Sequence, residues 1–381
     1  MKSRKFSLIA AGIALTMTMA ACAGEGAGSS NGSGNGDGSG AAENTDEGGE
    51  VDNSDLTVGV AMPTQSMQRW LDDGNNMKAE LEAEGYNVDL QYAEDDIPTQ
   101  VSQIENMVTQ GVDVLVIASI DGSALTSALE SAAENDIPVI AYDRLIRDSE
   151  HVNYYTTFDN YQVGQLQGNY LVEALGLPEA EGPFNVEVFA GSPDDNNATF
   201  FWQGAIDVIE PFIESGQIVV PSGQTSFEQA AILRWEPSTA QARMDNLMTG
   251  NYSDKELHAV LSPNDSVALG IVASLDSLGY GAGQDFPIIT GQDADRANVT
   301  NIIAGKQTMT VFKDTRALAK QAVNMVDALL KGTEPEVNDT ETYDNGVKVV
   351  PSYLLIPYEV DIDNYEEILI ESGYYDADEL S

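Results

Sequence analysis

The chain has 381 residues, with 17 basic against 62 acidic side chains and a formal net charge of −45. A field of that sign repels nucleic acid and anionic lipid, which excludes a DNA- or RNA-binding role. The acidity itself reads as a device for solubility, suited to salty surroundings where self-repulsion is screened.

Lys2, Arg4 and Lys5 precede the apolar run 7–21, which meets the only cysteine, Cys22, directly after Ala20 and Ala21. That order is a secretory signal, and the run is short for a membrane span of roughly 20 residues. Residues 1–22 are therefore expected to form a lipoprotein signal with Cys22 as the lipidation site. Met19 stands where the bacterial lipobox that this segment resembles usually has Leu. Residues 23–54 are dominated by Gly, Ser, Asn and acidic side chains and are expected to be a disordered linker. Its reach of about 30 Å would hold a globular body clear of a bilayer.

The remaining stretch, 55–381, is long enough for two domains with their own cores. Short apolar runs alternate with helical patterns from its start: strand 56–62 and helix 67–84, strand 88–93 and helix 97–110, strand 112–118 and helix 122–135, then strand 137–143. Strands that are apolar throughout, each followed by a helix, indicate parallel βαβ units with both sheet faces covered. A second series follows the segment 154–160: helix 161–175, strand 184–191, helix 196–214, strand 218–220, helix 238–250, strand 258–262, helix 264–278, strand 286–291, helix 295–304 and strand 308–313. A helix over 314–331, an acidic loop and the run 349–360 finish the body. The simplest architecture is α/β, with two doubly wound halves and a cleft between them.

Ligands in open α/β sheets bind beyond the carboxyl ends of the strands, so the residues just after each apolar run are the candidates. They are Arg69 and Trp70; Asp143 and Arg144; Asp195, Asn196 and Asn197; Asn264 and Asp265; Gln292, Asp293 and Asp295; and Lys313, with Trp235 in the loop 233–239. Carboxylates that only accept, Arg that donates in a fork and amides that do both suit vicinal hydroxyls. Indole rings suit the flat C–H face of a sugar. Each residue also has a plainer reading: Asp143 as a turn, Arg144 in a surface ion pair, the 193–197 loop as a helix N-cap, Trp235 as loop packing. The acidic clusters 72–76, 93–96 and 292–295 lack the spacing of an EF-hand, so no metal is expected. Catalysis has little support, because there are two histidines, no Gly-x-Ser-x-Gly elbow, no His-x-x-x-His pair, and no Gly-rich cofactor loop after a strand. No cofactor is expected.

At these residues the chain resembles the periplasmic sugar-binding proteins of the ribose/galactose/xylose type, above all the multiple-monosaccharide-binding, ChvE-type, and xylose-binding members. The resemblance covers essentially all of 56–381, through segments such as RWLDDGNNM (69–77), VIAYDRLI (139–146), GSPDDNNA (191–198), RWEPSTAQARMDN (234–246), GQDAD (291–295) and VPSYLL (350–355). It implies a type I periplasmic-binding-protein fold: two Rossmann-like domains joined by a three-crossover hinge and closing on one sugar. The crossovers are expected near 157–160, 309–312 and 333–338, giving one domain of 55–158 plus 312–335 and another of 159–311 plus 336–381. The implied ligand contacts are Arg69, Trp70, Asp143 and Arg144 from the first domain, and Asp195, Asn197, Trp235, Asn264, Asp293 and Lys313 from the second domain or the hinge. Gln65 stands where the multi-sugar relatives carry Lys. The implied role is an extracytoplasmic, membrane-anchored monomer that is not an enzyme. It would bind xylose, arabinose, glucose or galactose and deliver it to an ABC importer permease, or alternatively present the loaded form to a membrane sensor kinase.

Overall fold

The computed structural model describes residues 52–380, so the expected signal, Cys22 and residues 23–51 of the linker lie outside the described residues. The last linker residues are ordered: Asp52 caps a short 3-10 turn, Asn53–Asp55, and the Asn53 amide donates to the Glu84 carbonyl at 2.7 Å. Residues 52–54, which the linker reading included, are thus tied to the end of a helix.

The strands are β1 (Thr57–Met62), β2 (Asn87–Tyr92), β3 (Val114–Ile117), β4 (Val139–Tyr142), β5 (Tyr154–Phe158), β6 (Phe184–Val188), β7 (Ile218–Val219), β8 (Ala259–Leu261), β9 (Ile288–Ile289), β10 (Met309–Phe312), β11 (Ser352–Leu355) and β12 (Tyr358–Asp361). The helices are α1 (Gln68–Ala83), α2 (Ile97–Gln110), α3 (Thr126–Glu134), α4 (Asn160–Ala174), α5 (Asn197–Ser215), the single turn α6 (Phe227–Ala230), α7 (Pro237–Asn251), α8 (Asp265–Ser277), α9 (Arg296–Ile303) and α10 (Thr315–Leu330). Local chemistry sets several ends. In α2 the Asp96 carboxylate accepts from the Thr99 N–H, Pro98 occupies the first turn, and Gly111 ends the helix at φ +75°.

Six strands form one parallel sheet in the order β11-β5-β4-β3-β1-β2, and four form a second in the order β7-β6-β8-β9. Both sheets reverse strand order next to their first strand, at β1/β3 and at β6/β8, the place where crevices open in doubly wound sheets. The first sheet buries one face against α2 and α3, with Ile104, Met107, Ala128 and Leu129, and the other against α1 and α10, with Met77, Leu81, Leu318 and Ala322. The second sheet packs against α4 and α5 through Leu171, Ala205 and Ile209, and against α7 and α8 through Met244, Leu247, Ile271 and Leu275.

The chain passes from the first lobe to the second between β5 and α4, and back between β10 and α10. The third passage differs from the expectation at 333–338. Strand β11 pairs in parallel with β5 of the first sheet, Ser352 opposite Tyr155, and only β12 joins the second lobe, antiparallel to β10. The apolar run 349–360 is thus two strands in two lobes, divided at Pro357, whose nitrogen cannot donate to a ladder. The C-terminal turns at 366–371 and 377–380 were not anticipated either. Their apolar residues Leu369 and Leu380, with Tyr375 between the two turns, lie among acidic ones, yet they pack on Ala294, Val299 and Phe312.

Helices α4 and α5 approach closely through three glycines. A methyl at Gly164 would stand 2.1 Å from the Phe201 carbonyl oxygen and one at Gly204 2.1 Å from that of Tyr161, while Gly168 faces the Ala205 carbonyl. The same contact fixes α5, whose first turns carry Asn197 and Phe201. Gly204→Ala is expected to destabilise the protein by about 1–3 kcal/mol, the usual cost of overpacking, read from the urea midpoint. Gly250→Ala is the control, since that position in α7 meets nothing within 4 Å, and it should leave the midpoint unchanged or raise it.

Candidate functional site

Residues from both lobes surround one cavity at the carboxyl ends of the two sheets. All ten expected contacts line it: Arg69, Trp70, Asp143, Arg144, Asp195, Asn197, Trp235, Asn264, Asp293 and Lys313. The cavity is narrow: about 30 Å³ within it is open to the centre of a water-sized sphere, inside some 400 Å³ of non-atom space that includes its open mouth. Met67, Phe201, Ser266, Gln292 and Asp295 complete the lining. Gln292 and Asp295 were visible in the GQDAD loop. Phe201 stands one helical turn beyond Asn197, a signal that helical spacing carried and the strand-end rule passed over, whereas Ser266, two residues beyond Asn264, had no such signal.

Arg69 lies in the first turn of α1, which places Asp73 one turn further along the same face. Its guanidinium reaches three carboxylates: Nε to Asp73 at 3.0 Å, Nη2 to Asp143, and Nη1 to Asp293 of the other lobe at 2.8 Å. Lys313, placed by β10, adds a second cation, 3.0 Å from Asp293 and 4.0 Å from Asp143. Arg144 pairs across the cleft with Asp195 at 3.0 Å and donates to the Ser119 carbonyl at 3.1 Å. The Arg69 and Arg144 guanidiniums both stand over the Trp70 ring, at 5.2 and 4.9 Å from its centroid.

Burial opposes charge on every one of these groups, and the neighbours decide the outcome. Burial lowers the Arg69 pKa, yet the charges of Asp143, Asp73 and Asp293 outweigh it and hold the guanidinium well above its usual value. Burial would raise Asp293, but Lys313 and Arg69 together keep it below the usual carboxylate range. Asp195 ends up raised, since burial exceeds what Arg144 returns. Burial and then the charge of Asp293 push Asp295 upward; burial and then the charge of Asp295 do the same to Asp265 behind it.

The backbone at Asp143 is left-handed, φ +57°, and the turn it makes lets three donors converge on one carbonyl. Tyr155 Oη lies 2.6 Å from the Asp143 oxygen, Thr157 Oγ1 2.9 Å and Asn197 Nδ2 2.6 Å. Asn197 thus lines the cavity while its amide ties the lobes together through the Asp143 main chain. Asn264 is likewise partly committed, its Oδ1 capping α8 by accepting from the Val267 N–H at 2.9 Å. Among the described residues, three buried polar atoms of the lining have no hydrogen-bond partner: the Trp235 indole N–H, Gln292 Oε1, and Arg144 Nε, which keeps its charge pairing with Asp195.

Comparison with known proteins identifies the family and the fold. A family model described as a periplasmic binding protein domain matches residues 58–334. The chain is 59% identical over 325 residues to the multiple sugar-binding periplasmic receptor ChvE of Rhizobium radiobacter, covering 85% of this chain and 92% of that protein. It is 36% identical over 326 residues to the D-xylose-binding periplasmic protein of Escherichia coli K12, covering 86% and 93%. Among solved structures, an ABC transporter solute-binding protein from Clostridium phytofermentans with bound β-D-glucose superposes with a TM-score of 0.83 at 54% identity, covering 85% of this chain and 100% of that one.

Asp73 supplies a test of the charge arrangement. It is fully buried, accepts from Arg69 and from the Tyr142 hydroxyl, and burial pushes it up to about 6 from the ordinary 3.8, although Arg69 pulls it down. A carboxyl raised on folding contributes stability that is complete below its unfolded pKa and lost as pH rises through the folded one. Between pH 4 and 7 the wild type should therefore lose stability relative to Asp73→Asn by up to about 3 kcal/mol. Urea unfolding of both proteins at the two pH values measures the difference; a constant gap would refute the assignment.

Proposed function

The chain belongs to the periplasmic binding protein family and has its type I fold, and from that premise we propose that it captures one neutral monosaccharide between its two lobes outside the cytoplasm. The observation that carries this reading is the composition of the shared cavity, in which the carboxylates of Asp143, Asp195, Asp293 and Asp295 meet the cations of Arg69, Arg144 and Lys313. Each of those cations already has a carboxylate partner, so the site offers no surplus positive charge for a phosphate or another anion. It offers instead charge-assisted acceptors and donors in alternation, which vicinal hydroxyls can bridge. The Trp235 N–H and Gln292 Oε1 add one donor and one acceptor, and Trp70, Trp235 and Phe201 supply aromatic surface for a C–H face. The similar proteins named for several sugars and for D-xylose, and the similar structure holding β-D-glucose, support xylose or glucose as the ligand, with arabinose and galactose as the alternatives of the same size class.

Binding shifts an opening and closing of the lobes about the three chain passages, because only the closed form lets both lobes bond one ring. The ten lining residues named from the sequence are the contacts of this reading. Delivery of the loaded form to an ABC importer, with the body tethered through Cys22, completes it. The role in this reading is capture and not catalysis: Lys313 and Arg69 keep Asp293 below the usual carboxylate range, so it serves as a hydrogen-bond acceptor and not as a proton-donating acid.

Calorimetry with D-glucose, D-galactose, D-xylose and L-arabinose tests the proposal, with stoichiometric binding of at least one sugar expected and no product from a matching glycoside. Silence with all four would refute it. Asp143→Ala and Arg144→Ala should each weaken binding at least tenfold with an unchanged circular dichroism spectrum. Uptake of labelled sugar by cells with and without the chain separates transport from presentation to a sensor kinase.

A further inference from the structure

Trp235 reaches the cavity from an unusual stretch of backbone. Arg234 and Trp235 both have φ +57°, a left-handed conformation that residues with side chains avoid unless their surroundings impose it. Two features impose it on the indole side. Gly191 leaves room that a methyl would fill, 2.0 Å from the indole Cη2, and Phe201 packs edge-on with ring centroids 6.2 Å apart. On the arginine side, the Arg234 N–H donates to Ser192 Oγ at 2.8 Å, and its Nε pairs with Asp194 at 2.6 Å. Its Nη1 then crosses the cleft and donates to the Asp95 carbonyl of the first lobe at 2.6 Å. The receiving turn is left-handed as well, with Glu94 at φ +53° and Asp95 at φ +58°. Two strained turns, one on each lobe, therefore meet through a single hydrogen bond at the cleft rim. Arg234 itself does not line the cavity, and its guanidinium is partly exposed.

We propose that Arg234 is a latch: by bonding the Asp95 carbonyl across the cleft it holds the 234–235 turn in its left-handed form, so that closure of the lobes and seating of the Trp235 indole against the ligand are one event. Arg234 is thus a positioning residue, and the role rests on the sugar-capture reading only for its effect on a bound ring. When the lobes part, the bond to Asp95 is lost, only the contacts within the second lobe to Ser192, Asp194, Gly191 and Phe201 still hold the turn, and the indole is less firmly seated. Release of ligand and loss of the aromatic contact then occur together, and the residue that couples them touches no sugar.

The test uses the full chain carrying Arg234→Ala, with Arg234→Lys as a second variant able to keep one of the two charged contacts. In stopped-flow binding with D-glucose, Arg234→Ala should release the sugar about tenfold faster with an association rate within twofold of wild type, and Arg234→Lys should fall between. Cys22→Ser chains with spin labels at Glu130→Cys and Thr249→Cys report the distance between lobes, and in the sugar-free protein Arg234→Ala should shift that distribution toward longer distances. The sugar-free melting temperature should not change. Unaltered dissociation together with an unaltered distance distribution would overturn the latch, as would a lowered melting temperature with unaltered dissociation, which marks a merely structural arginine. If wild type captures no D-glucose or other monosaccharide, the functional reading fails, while the distance distributions still decide the latch.

Discussion

The guanidinium of Arg69 is the constraint around which the cleft is organised. It is buried, and removing a charge from water is costly unless partners replace the lost solvation. Three carboxylates do so, from α1, from the turn after β4 and from the opposite lobe. Because the third lies across the cleft, the electrostatics of one lobe are complete only when the other is in place. Taking away one member of such a cluster leaves an uncompensated buried charge, which typically costs about 3–5 kcal/mol. The cluster therefore fixes geometry more than it adds stability, and a ligand entering the cleft meets donors and acceptors whose directions are already set.

The other ties across the cleft follow the same logic with different chemistry. Asn197 donates to the main chain of Asp143, Arg144 pairs with Asp195, and Arg147 donates to Asn196 at 2.6 Å on the outer side. Two of these start from the segment 143–147, directly after β4, and end on 195–197, directly before or within the first turn of α5. The turn after one central strand and the start of one helix thus form a common seam, which the α4–α5 glycine contact holds in position from behind. A change in that helix packing is transmitted to the seam without any alteration of the lining residues.

Much of this was legible in the sequence because parallel strands buried on both faces must be apolar throughout, and the apolar runs stand out against so acidic a chain. The residues following those runs had to lie at one end of the sheets, so Arg69, Asp143, Asp195, Asn264, Asp293 and Lys313 could be placed together before any coordinates. Roles that depend on tertiary neighbours were not legible. Asn197 reads as a ligand amide, and that its Nδ2 also donates to the Asp143 carbonyl across the cleft could not be seen; Asp73 reads as one acidic residue in a cluster but is buried under Arg69. The run 349–360 looks like one strand because apolar content does not reveal which sheet a strand joins. The C-terminal turns were hidden for the opposite reason, since their few apolar residues have no regular spacing and become meaningful only against Phe312 and Val299.

The late return of the chain to the first sheet bears on how the protein is assembled during synthesis. Strand β5, emerging early, keeps an unpaired edge until β11 has been made nearly two hundred residues later, and the α1 face of the same sheet waits for α10. An open edge beside a bare apolar face is the combination that invites adhesion to other nascent chains. The first lobe cannot mature as an N-terminal unit on the ribosome, and the second, which waits for β12 and the C-terminal turns, is completed later still. A chain truncated before residue 315 would carry both hazards, and one that ends between 331 and 351 would keep the open edge of β5 alone.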